Sequence, residues 1–399
     1  MAASLDVGAM SPAKAAITGV GLSAIGRKTG RAAMSHLLEA VHNALACAGL
    51  TRDDVDGLCT YPGKIQSSPG MAPLGTGEVR HALGLRTRWH CAIPDGPAQM
   101  APIMSAAMAV MTGQARHVLC FRVLTESSSQ TVEQRASVAG AGRARVGGWS
   151  SWLIAANAMS ASNWAAWAAA RYFHEFGMTR EHLGLIATAQ RRFAQLNPDA
   201  VMRAPLSMED YRAARMISSP LCLFDCDVPI DGASVIIVSA ADAARDCARP
   251  LLQIDAMGAG MDAQETWDQR ADLTTMAARE AAADMWARTD VKPGNVDVVA
   301  VYDGFSIFVP MWLEALGFCG HGEAKDFIAE GHTAPGGRFP VNTGGGQLSA
   351  GRLHGFGLLH EACLQLWGDC GGRQVKGART AVCGMGGGYT AGAMLLSRA

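Results

Sequence analysis

Tyr302 and Asp303 stand at the end of the apolar run 298–301, in the order Tyr-Asp-Gly-Phe. A tyrosine and a carboxylate at the carboxyl end of a strand sit where α/β folds hold ligands. For Asp303 the cap of a following helix at 306–316 is the simpler role, and Tyr302 reads equally as a half-buried anchor. A second cluster is NTGGGQLSAGRLHG at 342–355, where five glycines, among them Gly346, and two basic side chains, Arg352 and His354, precede an apolar helix at 353–366. Glycine-rich backbone lets N–H groups approach an anionic or polarised oxygen, although such a run is by default a turn. A third is Cys383 with Gly386, Gly387 and Gly388 after a strand at 378–383. Consecutive glycines there suit an oxyanion hole of backbone donors. Cys383 is either a reactive thiol or, more simply, a small buried apolar residue. Asp225, Asp227 and Asp231 lack the alternation and the glutamate of a calcium loop, so they read as turn and capping residues, and no metal site is expected.

The elements that must position these groups come in two similar runs. Residues 16–21 (AITGVG) read as a short buried strand, 35–48 as a helix with apolar residues at helical spacing, and 55–59 as a second strand. Residues 251–258, 272–287 and 293–301 repeat that order, and TRDDVDGL at 51–58 matches KPGNVDVV at 292–299. A helix at 97–112 and strand at 115–121 match more loosely the helix at 353–366 and strand at 378–383. Strands alternating with helices imply mainly parallel sheets flanked by helices. The expected organisation is a first half at 1–248 and a second at 249–399. An insertion at about 124–220, with a helix at 179–196, covers the site, and a strand at 235–240 closes the first half.

Composition bounds the function. The chain has 399 residues, 34 Lys and Arg against 35 Asp and Glu, and 49% hydrophobic residues. The missing basic excess argues against nucleic-acid binding, and the hydrophobic content excludes a disordered chain. The 46 glycines exceed the roughly 28 of average usage, which suggests a site built from loops. Eleven scattered cysteines with no CxxC pair imply reduced thiols rather than structural zinc. With no signal-peptide pattern and no uninterrupted apolar span, a cytoplasmic protein without a membrane span is expected.

Taken together, AITGVG (16–21), DCDVPIDGAS (225–234), YDGFS (302–306), GGGQLSAGRLHG (344–355) and the GGG at 386–388 resemble the thiolase superfamily, nearest the sterol-carrier-protein-type thiolases and thiolase-like lipid-transfer proteins. The resemblance implies an α/β thiolase fold: two duplicated βαβαβαββ halves in a five-layer αβαβα core, with a loop domain inserted in the first. Two departures matter. The family's nucleophilic cysteine falls at about Gly96, with Cys91 some five residues upstream, off the helix start that would lower its pKa. The family's histidine falls on Arg352, which cannot act as a base, and the glycine motif carries its cysteine one residue early, at Cys383.

Loss of the nucleophile with the acyl-CoA site retained resembles the thiolase-like aldolases that cut steroid side chains by retro-aldol cleavage of a β-hydroxyacyl-CoA. That resemblance implies Tyr302, Arg352, His354 and Cys383 as catalytic candidates, with Asp303, Gly346, Gly386, Gly387 and Gly388 binding substrate or oxyanion. It implies no cofactor beyond the coenzyme A of the substrate, a homodimer, and a small partner with an OB-fold and zinc ribbon. Two alternatives stand beside it: a true thiolase using Cys91 or Cys383, and a non-catalytic acyl-CoA or lipid-binding subunit with Trp149, Trp152, Trp164 and Trp167 lining a greasy pocket. Tyr302 and Arg352 are expected to act as a pair, the guanidinium lowering the phenol pKa towards a useful range. His354 either donates to the thioester oxygen or is a satisfied residue at a helix start.

Overall fold

The computed structural model describes residues 14–131, 133–134, 147–148, 150–262 and 266–398. Its strands are β1 (Ala15–Leu22), β2 (Gly57–Thr60), β3 (Trp89–Ala92), β4 (His117–Thr125), β5 (Met216–Ser218), β6 (Leu221–Cys222), β7 (Asp231–Ala240), β8 (Leu252–Met261), β9 (Val298–Val301), β10 (Thr380–Gly387) and β11 (Thr390–Arg398). The helices of eight residues or more are α1 (Ala33–Ala48), α2 (Thr76–Leu83), α3 (Ala101–Met111), α4 (Ala161–Phe176), α5 (Arg180–Gln195), α6 (Ala278–Trp286), α7 (Phe308–Ala315) and α8 (Phe356–Trp367). None of the described helices is long and apolar enough to cross a membrane.

Nine strands form one sheet in the order β3-β2-β4-β7-β1-β8-β11-β10-β9. Its waist is narrow, with β1 meeting β8 only at Ala16↔Gln253 and Ile17↔Leu252. On either side of that waist the same pattern occurs: β2-β4-β7-β1 and β9-β10-β11-β8. In each, the first pair is parallel and the next two are antiparallel. The sheets are therefore mixed rather than mainly parallel. A short turn after β10 sends β11 straight back beside it, and tight hairpins join only antiparallel strands.

Local chemistry explains why the pattern recurs. Gly19 and Gly21 lie under α1, where a Cβ would come 2.6 Å from Ala44 O or overlap Ala40 O; Gly258 and Gly260 lie likewise under Ala281 O and Ala277 O of α6. Glycine is needed at both places so that a helix can press on the strand. The repeated Val-Asp pair has an equally concrete use. Asp56 Oδ1 accepts the N–H groups of Arg116 and His117 at 2.8 and 3.0 Å. Asp297 Oδ2 accepts those of Arg379 and Thr380 at 2.9 and 3.0 Å. Each aspartate pins the start of the neighbouring parallel strand, β4 or β10, and so sets its register.

α1 covers the outer face of β1, β7 and β4, and α6 covers β8, β11 and β10. α3 and α8 lie between the two half-sheets: α8 packs on β9 and β10 from one side and on β7 and β1 from the other. The result is a helix–sheet–helix–sheet–helix stack around an apolar core. Three sequence expectations shift here, the helix at 272–287 beginning only at Ala278. The 353–366 helix starts only at Phe356, because Gly351, His354 and Gly355 have φ of +118°, +52° and +88°, which no α-helix accepts. The 306–316 helix begins at Phe308.

Candidate active site

Tyr302 follows β9, and its N–H donates to Gly384 O at 2.8 Å, extending the β9–β10 ladder by one residue. Its ring folds back over Gly304, where a Cβ would lie 2.7 Å from Tyr302 Cε1, so the glycine of Tyr-Asp-Gly is a steric requirement. The phenol is buried at 6% exposure. Burial pushes its pKa well above the ordinary value, against the pull of Arg352, with Asp227 and Tyr61 pushing the same way. The expected lowering by Arg352 therefore does not prevail, because desolvation of the phenolate is the larger effect.

Asp303 does not cap α7. No side chain caps the helix; Ser306, just before it, donates its N–H to Asp225 O at 2.9 Å and its hydroxyl to Asp225 Oδ1 at 2.6 Å. Asp303 turns the other way. Both its oxygens accept Gln347 N–H, at 3.0 and 2.9 Å, inside the glycine loop. Gly346 has φ +60° and abuts this carboxylate so closely that a Cβ would overlap Asp303 Oδ2. Burial drives Asp303 up to about 7 in spite of those donors. Its observed role is to lock the loop carrying Arg352 and His354 to the end of β9. Asp231 caps as expected, accepting from Thr29 and Ser128, and Asp227 serves a charge rather than a turn.

Arg352 reaches back into the first half. Its Nη1 donates to Glu126 Oε2 at 2.7 Å, and its Nε lies 3.0 Å from Asp227 Oδ2. Burial opposes its charge, but Glu126 and Asp227 outweigh that and hold the guanidinium charged. Arg352 and Tyr302 are coupled through space, while the hydrogen bond described for Nη1 goes to a carboxylate.

His354 is buried, with its ring centroid 6.1 Å from that of Tyr302 and 6.0 Å from that of Tyr61. Its Nδ1 lies 2.9 Å from Arg122 Nη2 and its Nε2 lies 3.0 Å from Gln99 Nε2. Arginine only donates, so Nδ1 accepts and Nε2 carries the proton. The Gln99 amide then presents its carbonyl oxygen to that N–H, which also provides for an Oε1 otherwise buried without a partner. Burial and the neighbouring Arg122 and Arg352 push the imidazole pKa far down, so it is neutral. Burial pushes Arg122 down to about 10, against Glu126.

The cysteines lie elsewhere. Cys383 is fully buried in β10 opposite Ala300 and Met394, and burial pushes its thiol up to about 12. Cys91 sits on the edge strand β3 beside Cys59, not at the start of α3. Gly386 and Gly388 have φ of +97° and +78°; β10 runs on through Gly386 and Gly387, past the end expected at 383, and only Gly388 and Tyr389 make the turn to β11. Gly386 O accepts from Trp312 Nε1 at 3.1 Å and Gly388 O from Ala277 N–H at 3.0 Å. A Cβ on Gly386 would lie 2.6 Å from Ala98 Cβ, so this strand end abuts the segment carrying Gln99, and Gly387 packs on Phe308. Beside it an apolar recess with about 270 Å³ of empty space is lined by Trp164, Trp267, Phe308 and Met311. Phe308 is 6.4 Å from the Tyr302 ring. Trp152 is 71% exposed and Trp149 lies outside the described residues. A larger hollow, about 630 Å³, borders the far side of the loop and is lined by none of Tyr302, Arg352 or His354. The cluster of coupled side chains, not the larger hollow, defines the candidate site.

Sequence reasoning missed Tyr61, Gln99, Arg122 and Glu126. One signal was available: Arg122 and Glu126 are charges in and just after an otherwise apolar strand, and a buried charge requires a partner.

Against known proteins, residues 259–398 match the family model described as "Thiolase C-terminal domain-like". The chain is 35% identical over 361 residues to the "Steroid side-chain-cleaving aldolase" of Thermomonospora curvata, covering 88% of this chain and 90% of that one. It is 34% identical to the "17-hydroxy-3-oxo-4-pregnene-20-carboxyl-CoA lyase" of Mycobacterium tuberculosis, covering 90% and 93%. Among solved structures, the "Ltp2-ChsH2(DUF35) aldolase" superposes with a TM-score of 0.86 at 31% identity, covering 97% of this chain and 98% of that one. This chain belongs to the thiolase superfamily, in the branch of the thiolase-like aldolases.

Proposed function

We propose that this chain is a C–C lyase that cleaves a bulky β-hydroxyacyl-CoA by a retro-aldol reaction. The observation that carries this reading is the buried Tyr302, its ring 6.1 Å from that of His354, whose Nδ1 accepts from Arg122, with Cys383 buried within β10 and Cys91 on the edge strand β3. The similarity to two steroid-cleaving relatives over nearly their whole length supports it. Tyr302, as phenolate, takes the proton of the substrate hydroxyl. The Cα–Cβ bond then breaks, the carbinol carbon becomes a ketone, and the electron pair stays on the thioester as an enolate. Arg352 and Arg122 provide fixed positive charge where that enolate develops, the kind of stabilisation that contributes most in a dry site. His354 is a positioning residue: its neutral ring holds Arg122 in place and packs against Tyr302. The apolar recess lined by Trp164, Trp267 and Phe308 lies beside this cluster and supports an apolar acyl group on the substrate.

Coenzyme A enters as part of the substrate, and the cleavage needs no separate cofactor. The half-exposed edge strand β3 supports a homodimer, since a free edge invites pairing with another chain. The partner named with the similar aldolase structure supports a small second subunit here. The free thiols support a cytoplasmic location. Incubation of the purified protein, with and without such a subunit, with steroid β-hydroxyacyl-CoA thioesters should yield a ketone and a shortened acyl-CoA. Binding without turnover under both conditions would overturn the proposal.

A further inference from the structure

The internal match at 51–58 and 292–299 runs further than those eight residues. VDGLCTYPG at 55–63 and VDVVAVYDG at 296–304 align without a gap, and Tyr61 falls on Tyr302 and Gly63 on Gly304. The strand registers agree with the alignment. Cys59 pairs with Cys120 and Thr60 with Phe121, as Ala300 pairs with Cys383 and Val301 with Gly384. Tyr61 therefore leaves β2 at the same point of the fold at which Tyr302 leaves β9. Both tyrosines meet the same ring: Tyr61 stacks on His354 at 6.0 Å with an interplanar angle of 29°, and Tyr302 meets it edge-on at 6.1 Å and 70°. The two differ in access, since Tyr302 is buried and Tyr61 is only partly covered.

We infer that Tyr61 is a second catalytic tyrosine, the acid that protonates the thioester enolate at Cα. This inference rests on the retro-aldol reading above. The cleavage has two proton transfers at different atoms, one from the substrate hydroxyl and one to Cα. One tyrosine cannot perform both without moving. Tyr302 takes the hydroxyl proton as the Cα–Cβ bond breaks. The enolate's electron pair then forms a Cα–H bond with the Tyr61 proton, leaving Tyr61 as phenolate and Tyr302 as phenol. The proton returns from Tyr302 to Tyr61 through water in the emptied cleft, so no external acid or oxidant is needed. His354 is no relay, because both its nitrogens are engaged by Arg122 and Gln99. The donor must be recharged in each turnover, which suits the more accessible ring. Burial raises the Tyr61 pKa above its ordinary value, against the pull of Arg122, which keeps the phenol protonated until an enolate forms.

The test separates the two transfers. In D₂O, the acyl-CoA product alone should exchange its α-hydrogens on the wild-type enzyme, read by mass spectrometry, because the reverse of the Tyr61 step is removal of that proton. Tyr61→Phe, which keeps the ring against His354, should lower both cleavage and exchange by about 10²-fold or more with KM little changed. Tyr302→Phe should lose cleavage but keep more of the exchange than Tyr61→Phe. Wild-type cleavage without exchange, or exchange in Tyr61→Phe at the wild-type rate, overturns the role of Tyr61. Wild-type protein that performs neither reaction on any steroid thioester overturns the retro-aldol reading instead. If Tyr61→Phe does not fold, the wild-type exchange measurement still decides the matter.

Discussion

Gly346→Ala probes whether the loop carrying Arg352 and His354 is held by Asp303. At φ +60° an alanine costs about 1–2 kcal/mol in backbone strain alone. The new methyl would also overlap Asp303 Oδ2 and come within 2.5 Å of Gln190 Oε1. Relief requires the carboxylate to move and release Gln347 N–H, and losing a hydrogen bond at a buried charged group costs a further amount of about 1.5–3 kcal/mol. A total of about 2.5–5 kcal/mol in folding stability is expected. Displacement of Arg352 by about 1 Å should lower kcat/KM by about 10²-fold. Gly336→Ala is the matched control, since Gly336 has φ +83° and its added methyl would meet no atom within 4 Å; it carries the strain without the clash. Urea denaturation of both variants gives the stability difference, and steady-state cleavage gives the kinetic one. If Gly346→Ala is no less stable than Gly336→Ala and turns over normally, Asp303 does not lock the loop.

Further outcomes follow from the same site. Cleavage should accelerate as pH rises from 7 to 10, because burial raises the Tyr302 pKa and the phenolate is scarce at neutrality; a rate that falls over that range would remove Tyr302 as the base. Asp303, raised to about 7, keeps its proton when folded between about pH 4 and 7 while the unfolded chain has lost it, so stability should decline as pH rises through that window. Asp303→Asn should flatten that decline in denaturation midpoints, and an unchanged slope would contradict it. His354→Ala should cost about 1.5–3 kcal/mol, because the buried Arg122 loses the ring nitrogen that accepts from its Nη2; calorimetry showing no loss would break the link between them. Cys383→Ala should retain turnover, since the thiol is fully buried and raised to about 12; loss of activity in a folded variant would restore a thiol mechanism.

Much of the fold is legible from local pattern. The openings at 16–21 and 251–258, the Val-Asp pairs and the glycine clusters form strands, register pins and tight turns, because each needs only a neighbouring strand or helix of the expected kind. The strand end at 301 places Tyr302 without knowledge of the rest, whereas the strand expected at 378–383 runs on to Gly387 and takes Gly386 and Gly387 into its ladder with β11. β3 and β11 carry weaker local signals, the first being short and half-exposed and the second following an unusual run of glycines. The expected helix start at 353 fails because the backbone around Gly355 is set by contacts with Gln99 and Met385, which are remote in sequence.

The sequence by itself determined the thiolase-like architecture, the absence of a cysteine where the family's nucleophile stands, and the presence of Tyr302 and Arg352 on neighbouring loops. The resemblance of short motifs to the thiolase superfamily implies these, and the residue types and turn chemistry that make up such motifs act over a few residues. Only the tertiary structure decided what those residues meet. Arg352 finds Glu126 across 226 positions, and His354 finds Arg122 and Gln99 across 232 and 255. It also decided the sign of the Tyr302 shift, because the cost of burying a phenolate depends on everything packed around it, whereas the attraction of one arginine is a single pairwise effect.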